Sequence, residues 1–201
     1  ISKLPITVKH RIGVDDFDSY DFLCDFVGAV SNTGCKTFII HARKAWLKGL
    51  SPKQNREIPK LNYDRVYKLK KDFPELEIII NGGISSIQDS VDHLHQLDGV
   101  MIGREAYTNP YLLAEVDQKI YGKEKSVIKR EEIAEKFCQY VDNEMVKGEK
   151  LHSMTRHILG LFRGVKGAKQ FRRHISENAQ GEKASIDVLY DALKKVGEHQ
   201  K

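Results

Sequence analysis

Along the first 122 residues the apolar positions switch repeatedly between two periods. Ile6-Thr7-Val8 is a short β-branched run. Over residues 18–33, Phe22, Leu23, Phe26, Val27 and Val30 fall on one helical stripe, and Asn32-Thr33-Gly34 ends it. Thr37 to Ile40 reads as the next strand. Residues 62–72 read as a helix with Val66, Tyr67 and Leu69 toward a core, closed by Pro74. Glu77 to Ile80 is a strand, Ser86 to Leu94 a helix, Gly99 to Ile102 a strand, and a helix follows from about Pro110 to Tyr121. Continuous apolar strands between helices predict a parallel sheet covered by helices. The repeat fits a β/α barrel or a doubly wound sheet.

The pattern changes near residue 122. Gly122-Lys123-Glu124-Lys125-Ser126 is polar, and beyond it only helical periodicity remains, over about 129–147, 151–161, 164–177 and 185–196. The expected boundary therefore lies at 122–128, giving an α/β domain over 1–122 and an all-α domain over 123–201. No internal repeat beyond the β/α unit and no low-complexity tract is present.

Charge follows this division. Residues 1–122 hold 16 Lys+Arg against 16 Asp+Glu, and residues 123–201 hold 17 against 12, so the second region carries the whole net charge of +5. Segment 147–174 has eight Lys or Arg, three His and one acid, Glu149. An excess confined to one region points to a polyanionic partner. Lys166, Lys169, Arg172 and Arg173 are spaced to share a helical face, with Phe171 and Ile175 on another. Cys24, Cys35 and Cys138 are odd in number and form no C-x-x-C pair, which argues against a disulfide framework or a metal site and fits small buried thiols in a reducing cytoplasm. No apolar run approaches the roughly 20 residues of a membrane span. There is no secretory signal, and the start at Ile1 without a Met suggests a fragment.

In a parallel barrel the active site forms at the C-terminal strand ends. Those ends are expected to deliver Lys9-His10-Arg11, His41-Ala42-Arg43, Asn81-Gly82-Gly83 and Gly103-Arg104. Two glycines let the backbone approach a ligand closely, and the turn amides and the helix start behind them can face an anion. Arg104 can fork onto phosphate oxygens. Gly-based turns on two successive strand ends match the phosphate site of such barrels. The long loop 42–60 carries Arg43, Lys44, Trp46, Lys48, Lys53 and Arg56 with Glu57 as its only acid, a mixture suited to nucleic acid.

Five runs carry a family resemblance. Thr7-Val8-Lys9-His10-Arg11-Ile12-Gly13, Ile40-His41-Ala42-Arg43-Lys44-Ala45-Trp46, Gly49-Leu50-Ser51-Pro52-Lys53, Ile80-Asn81-Gly82-Gly83-Ile84 and Val100-Met101-Ile102-Gly103-Arg104-Glu105-Ala106-Tyr107 resemble the tRNA-dihydrouridine synthases, in particular their A subgroup. The resemblance implies the second half of a TIM (β/α)8 barrel, about four parallel strands, followed by a helical tRNA-binding domain. It implies FMN-dependent reduction of uridine to 5,6-dihydrouridine at positions 20 and 20a of the tRNA D-loop, with NADPH as reductant. Lys9 and His41 would contact FMN. Asn81, Gly82, Gly83, Gly103 and Arg104 would hold its phosphate, and Lys53, Arg56, Lys169 and Arg172 would orient tRNA. The family's barrel begins four strands earlier, and none of the three cysteines matches its catalytic cysteine. The chain alone is therefore expected to be inactive, with no catalytic residue of its own, and to dimerise or swap through its open sheet edges. Other readings are an FMN-dependent barrel oxidoreductase of a small molecule and a non-catalytic RNA-binding module.

Overall fold

The computed structural model describes residues 4–181 and 184–197. Four strands, β1 (Thr7–Arg11), β2 (Thr37–His41), β3 (Glu77–Asn81) and β4 (Gly99–Met101), form one sheet in the order β1-β2-β3-β4. Each neighbouring pair is parallel. Between them lie α1 (Tyr20–Ser31), α2 (Tyr63–Asp72) and α3 (Ile87–Leu94).

Sequential order decides between the two architectures that the pattern allowed. Parallel crossovers are right-handed, so strands added always on the same side send every helix to one face. A doubly wound sheet instead reverses direction and covers both faces. Burial agrees with a barrel segment. Phe38 and Ile40 from β2 and Ile78 and Ile80 from β3 are fully buried, in one core with Leu23 and Val27 of α1 and Val66 and Leu69 of α2. Each such side chain contributes about 1.5–3 kcal/mol by leaving water. The alternate residues Thr37, Ile39 and His41, and Glu77, Ile79 and Asn81, are less buried and share the opposite face.

The compact units divide between Gly103 and Arg104, earlier than the compositional break at 122–128. The second unit begins with α4 (Arg104–Thr108), a 3-10 helix (Pro110–Glu115) and α5 (Val116–Lys119). This segment packs on the helical core: Tyr111 donates to the Ile128 carbonyl at 3.0 Å, and the Arg130 guanidinium lies 3.7 Å from its ring centre. The remaining helices are α6 (Arg130–Val146), α7 (Leu151–Thr155), α8 (Ala168–Asn178) and α9 (Asp187–Gly197). Their core includes Cys138 and Val141 of α6, Phe171 and Ile175 of α8, and Leu189 and Ala192 of α9.

Several expected elements move. The strands β1, β2 and β3 run further than expected, because the ladder continues through Arg11↔His41 and His41↔Asn81. Phe22 and Phe26 lie outside the buried stripe of α1, which is Leu23 and Val27. The single helix expected over Pro110 to Tyr121 is a 3-10 helix followed by α5, and α4 precedes it. Helix 151–161 ends at Thr155, and helix 164–177 begins only at Ala168, because Gly164 and Gly167 adopt φ of 82° and 91°. Lys166 therefore lies before α8, while Lys169, Arg172 and Arg173 share its exposed side. Among the described residues, no helix is long and apolar enough to cross a membrane.

Candidate functional site

The parallel register sets Arg11, His41, Asn81 and Met101 on one rung at the C-terminal edge of the sheet. Asn81 fixes this edge, because its Nδ2 donates to the Met101 carbonyl at 2.8 Å. Gly82 and Gly83 follow with φ of 111° and 75°, a region that side chains strongly disfavour. Packing forbids a side chain independently. A Cβ on Gly82 would overlap the His41 ring, and one on Gly83 would overlap Leu61 and lie 2.9 Å from the Tyr63 hydroxyl.

Tyr63, the first residue of α2, donates its hydroxyl to the Gly82 carbonyl at 2.7 Å. A trans peptide points its N–H opposite to its C=O, and no cis bond occurs among the described residues. The Gly83 amide is therefore turned away from α2, and among the described residues it has no acceptor. The helix start behind the turn is partly satisfied by its own side chains. Ser86 and Asp89 form a capping box that takes the amides of Ser85, Ser86 and Asp89. Burial raises the Asp89 pKa, but hydrogen bonds from Ser86 and Ser85 outweigh it, and the net shift is downward. A carboxylate already occupies the positive end of α3. Those three amides are therefore not free for an anion, whereas the Gly83 amide is.

The run Lys9-His10-Arg11 divides by strand alternation. Lys9 is not at the strand end: it pairs with Ile39, two residues before the rim rung, on the open face. That step is about 6.6 Å along the strand, a distance that its four-carbon stem can cover. His10 points to the helix face, with its ring edge-on to Phe26 and Phe38 and Nδ1 donating to the Arg11 carbonyl. Burial lowers its pKa, aided by Lys9 and opposed by that hydrogen bond. Arg11 donates to the carbonyls of Lys44 and Asn55, at 2.8 and 2.9 Å, and so ties down the β2–α2 loop. Burial lowers its pKa, as do the charges of Arg43 and Arg56. Three guanidinium groups thus crowd this part of the rim.

That loop is long but ordered by its own polar groups. Ala42 accepts from the Asn62 amide at its base. Asn55 accepts from the Trp46 amide and donates to the Trp46 carbonyl. Arg43 donates to the carbonyls of Glu57 and Pro59. Lys44 sits 4.1 Å from the centre of the Trp46 ring and 3.2 Å from Asp18, which also pairs with Arg65 at 2.7 Å. A concavity of about 700 Å3 beside them is lined by Ile12, Trp46, Leu61 and these ion-paired groups. Lys53 precedes the 3-10 turn Gln54–Arg56, Arg56 ends it, and both are exposed.

Gly103 follows β4 by two residues and ends the first unit, and Arg104 opens the second. A Cβ on Gly103 would meet nothing within 4 Å, so protein packing does not demand this glycine. All three cysteines are free. Cys138 is buried in the helical core, Cys24 lies on α1, and Cys35 precedes β2 at the N-terminal edge of the sheet, donating to the Ile6 and Thr37 carbonyls. None stands on the rim rung. Tyr63 and Asn55 escaped the sequence reading because their partners are tertiary or within an irregular loop, and neither residue type advertises that role.

The profile of the dihydrouridine synthase (Dus) family matches residues 2–197. The chain is 57% identical over 194 residues to the tRNA-dihydrouridine(20/20a) synthase of Vibrio vulnificus, covering 96% of this chain and 60% of that protein. It is 54% identical over 193 residues to the protein of that name from Shewanella oneidensis, covering 96% and 58%. Against the one from Escherichia coli K12 it is 53% identical over 199 residues, covering 98% and 58%. The chain thus spans about 60% of the length of the curated relatives it matches.

Proposed function

Because the chain belongs to the dihydrouridine synthase (Dus) family, we propose that it forms the phosphate-gripping and RNA-facing part of a flavoenzyme that reduces uridine at positions 20 and 20a of the tRNA D-loop to 5,6-dihydrouridine, with NADPH as reductant. The observation that carries this reading is the Gly82-Gly83 turn. It offers an amide with no acceptor among the described residues, aimed away from α2 by Tyr63. Open space at Gly103 suits the same ligand. These features fit the phosphate of FMN.

Asn81, Gly82, Gly83, Gly103 and Arg104 hold the phosphate in this reading, through backbone amides and a guanidinium fork. When bound, FMN supplies the hydride carrier between NADPH and the uracil ring. Lys9 places a cation on the open face, where it favours negative charge on a bound ring system. His41 is packed against Gly82 and fixes the edge that the ligand meets. Lys53 and Arg56 on the loop, and Lys169 and Arg172 on α8, orient tRNA. No cysteine of this chain stands at the rim, so the proton for C5 of uracil comes from a group elsewhere in the full-length enzyme, and the 201-residue chain is inactive alone.

The test uses the full-length protein with an unmodified tRNA transcript and NADPH. Dihydrouridine at positions 20 and 20a is the expected product. Flavin reduction without dihydrouridine would instead favour a small-molecule oxidoreductase, and absence of flavin a non-catalytic RNA-binding module.

A further inference from the structure

Within the second unit, the turn that follows α7 and the exposed side of α8 enclose a groove of about 400 Å3. Its floor is Leu159, Gly160 and the ring of Tyr107, and its rim is Arg156, Arg163 and Arg172. We infer that this groove seats one nucleotide of the tRNA, its base against Tyr107 and Leu159 and its phosphate on Arg156 and Arg172. The inference rests on the tRNA reading above and adds Tyr107, His157 and Arg156 to it.

The groove is built by the fold. A Cβ on Gly160 would overlap the Thr108 carbonyl and lie 2.9 Å from Pro110, so the turn is pressed directly onto the end of α4. Arg163 clamps the same junction, with Nη1 2.9 Å from Glu105 Oε1 and 3.3 Å from Thr108 Oγ1. That ion pair offsets the Arg163 charge. Among the described residues, Arg156 and Arg172 have no carboxylate partner, so two guanidinium groups remain for an anion.

His157 joins the aromatic floor to the cationic rim. Its Nε2 accepts from Arg156 Nε at 3.0 Å, which leaves the proton on Nδ1, 3.2 Å from the Tyr107 hydroxyl. The Tyr107 and His157 rings meet edge to face, with centroids 5.8 Å apart. Arg156 is thereby held through Nε, which leaves its two terminal nitrogens to bind phosphate in a pair of hydrogen bonds. Tyr107 is 57% exposed, and its ring presents a surface on which a base can stack. An apolar floor under unpaired guanidinium groups suits a nucleotide, which carries a flat π surface and a phosphate together.

The experiment measures binding of an unmodified tRNA transcript to full-length, flavin-loaded protein over a series of KCl concentrations. Arg156→Ala is expected to weaken binding about tenfold and to reduce the salt slope by about one. Tyr107→Ala is expected to weaken it by a similar factor without changing the slope. Arg156→Lys should restore the slope but not the full affinity, because it keeps the charge and loses the fork. Flavin content should stay at the wild-type value throughout. Wild-type affinity in both Arg156→Ala and Tyr107→Ala overturns the nucleotide groove and leaves the tRNA reading intact. Failure of the wild-type protein to bind tRNA overturns both.

Discussion

At the scale of single residues, two kinds of glycine meet at the sheet rim. Gly82 is required by its own backbone, with φ of 111°, and by the His41 ring against it. Gly103 is required by neither. Gly82→Ala should therefore lower stability by about 2 kcal/mol or more and lose flavin with it. Gly103→Ala should leave stability within about 0.5 kcal/mol of wild type and still weaken flavin binding. Thermal melts and flavin retention of the two full-length variants check this, and equal loss of stability in both would contradict it. Tyr63→Phe keeps the ring and removes the hydrogen bond to the Gly82 carbonyl. Loss of roughly 1 kcal/mol should weaken FMN binding about fivefold, read by flavin fluorescence, and unchanged affinity would remove Tyr63 from the account. The glycine pair was visible in the sequence as a close-approach turn. Which glycine the protein needs and which a ligand needs was not, since that depends on side chains brought in from β2 and α2.

At the scale of elements, the helical and strand periods of residues 7–101 were legible because one face of each element is buried against a common core. The boundaries were not. Strand ends are set by pairing partners, as in Arg11↔His41, and that shift moved Lys9 from the rim to one layer below it. Helix α4 and the break before α8 were missed because α4 is short and because Gly164 and Gly167 take left-handed φ that no periodicity reports. The capping box of α3 carried a legible signature in Ser86 and Asp89, and it takes up the amides of Ser86 and Asp89. The β1–α1 and β2–α2 loops are joined through Asp18, which accepts from Arg65 and pairs with Lys44. Burial raises the Asp18 pKa, but the two hydrogen bonds outweigh it, and the group stays below the usual carboxylate range. Its stabilising effect is therefore fully present above about pH 4 and is lost as pH falls through the lowered native pKa. Asp18→Asn should have a lower Tm than wild type at pH 7, and the difference should close as the pH is taken below 4. A difference that stays constant from pH 7 to 3 would contradict the pairing.

At the scale of the molecule, both outer strands, β1 and β4, have one side unpaired among the described residues, and several large apolar side chains near β1 in the chain are exposed. Ile6 and Phe17 are each 65% exposed, Phe22 of α1 lies against Phe17 with ring centroids 5.5 Å apart, and Phe26 lies against His10. Open edges and exposed apolar surface favour association. The isolated 201-residue chain should sediment as dimers or larger species at micromolar concentration, and a monodisperse, highly stable monomer would contradict this. The charge asymmetry read from the sequence also acts at this scale. It assigned an anionic partner to the helical region, although it could not show that Arg163 is neutralised by Glu105 while Arg156 and Arg172 are not. The proposed activity is synthesis of dihydrouridine at tRNA positions 20 and 20a by the full-length protein. The most direct test maps dihydrouridine in total tRNA from cells in which the gene for the full-length protein is deleted. Dihydrouridine is expected to be lost at positions 20 and 20a, retained elsewhere, and restored by the wild-type gene. Unchanged dihydrouridine at both positions would contradict it.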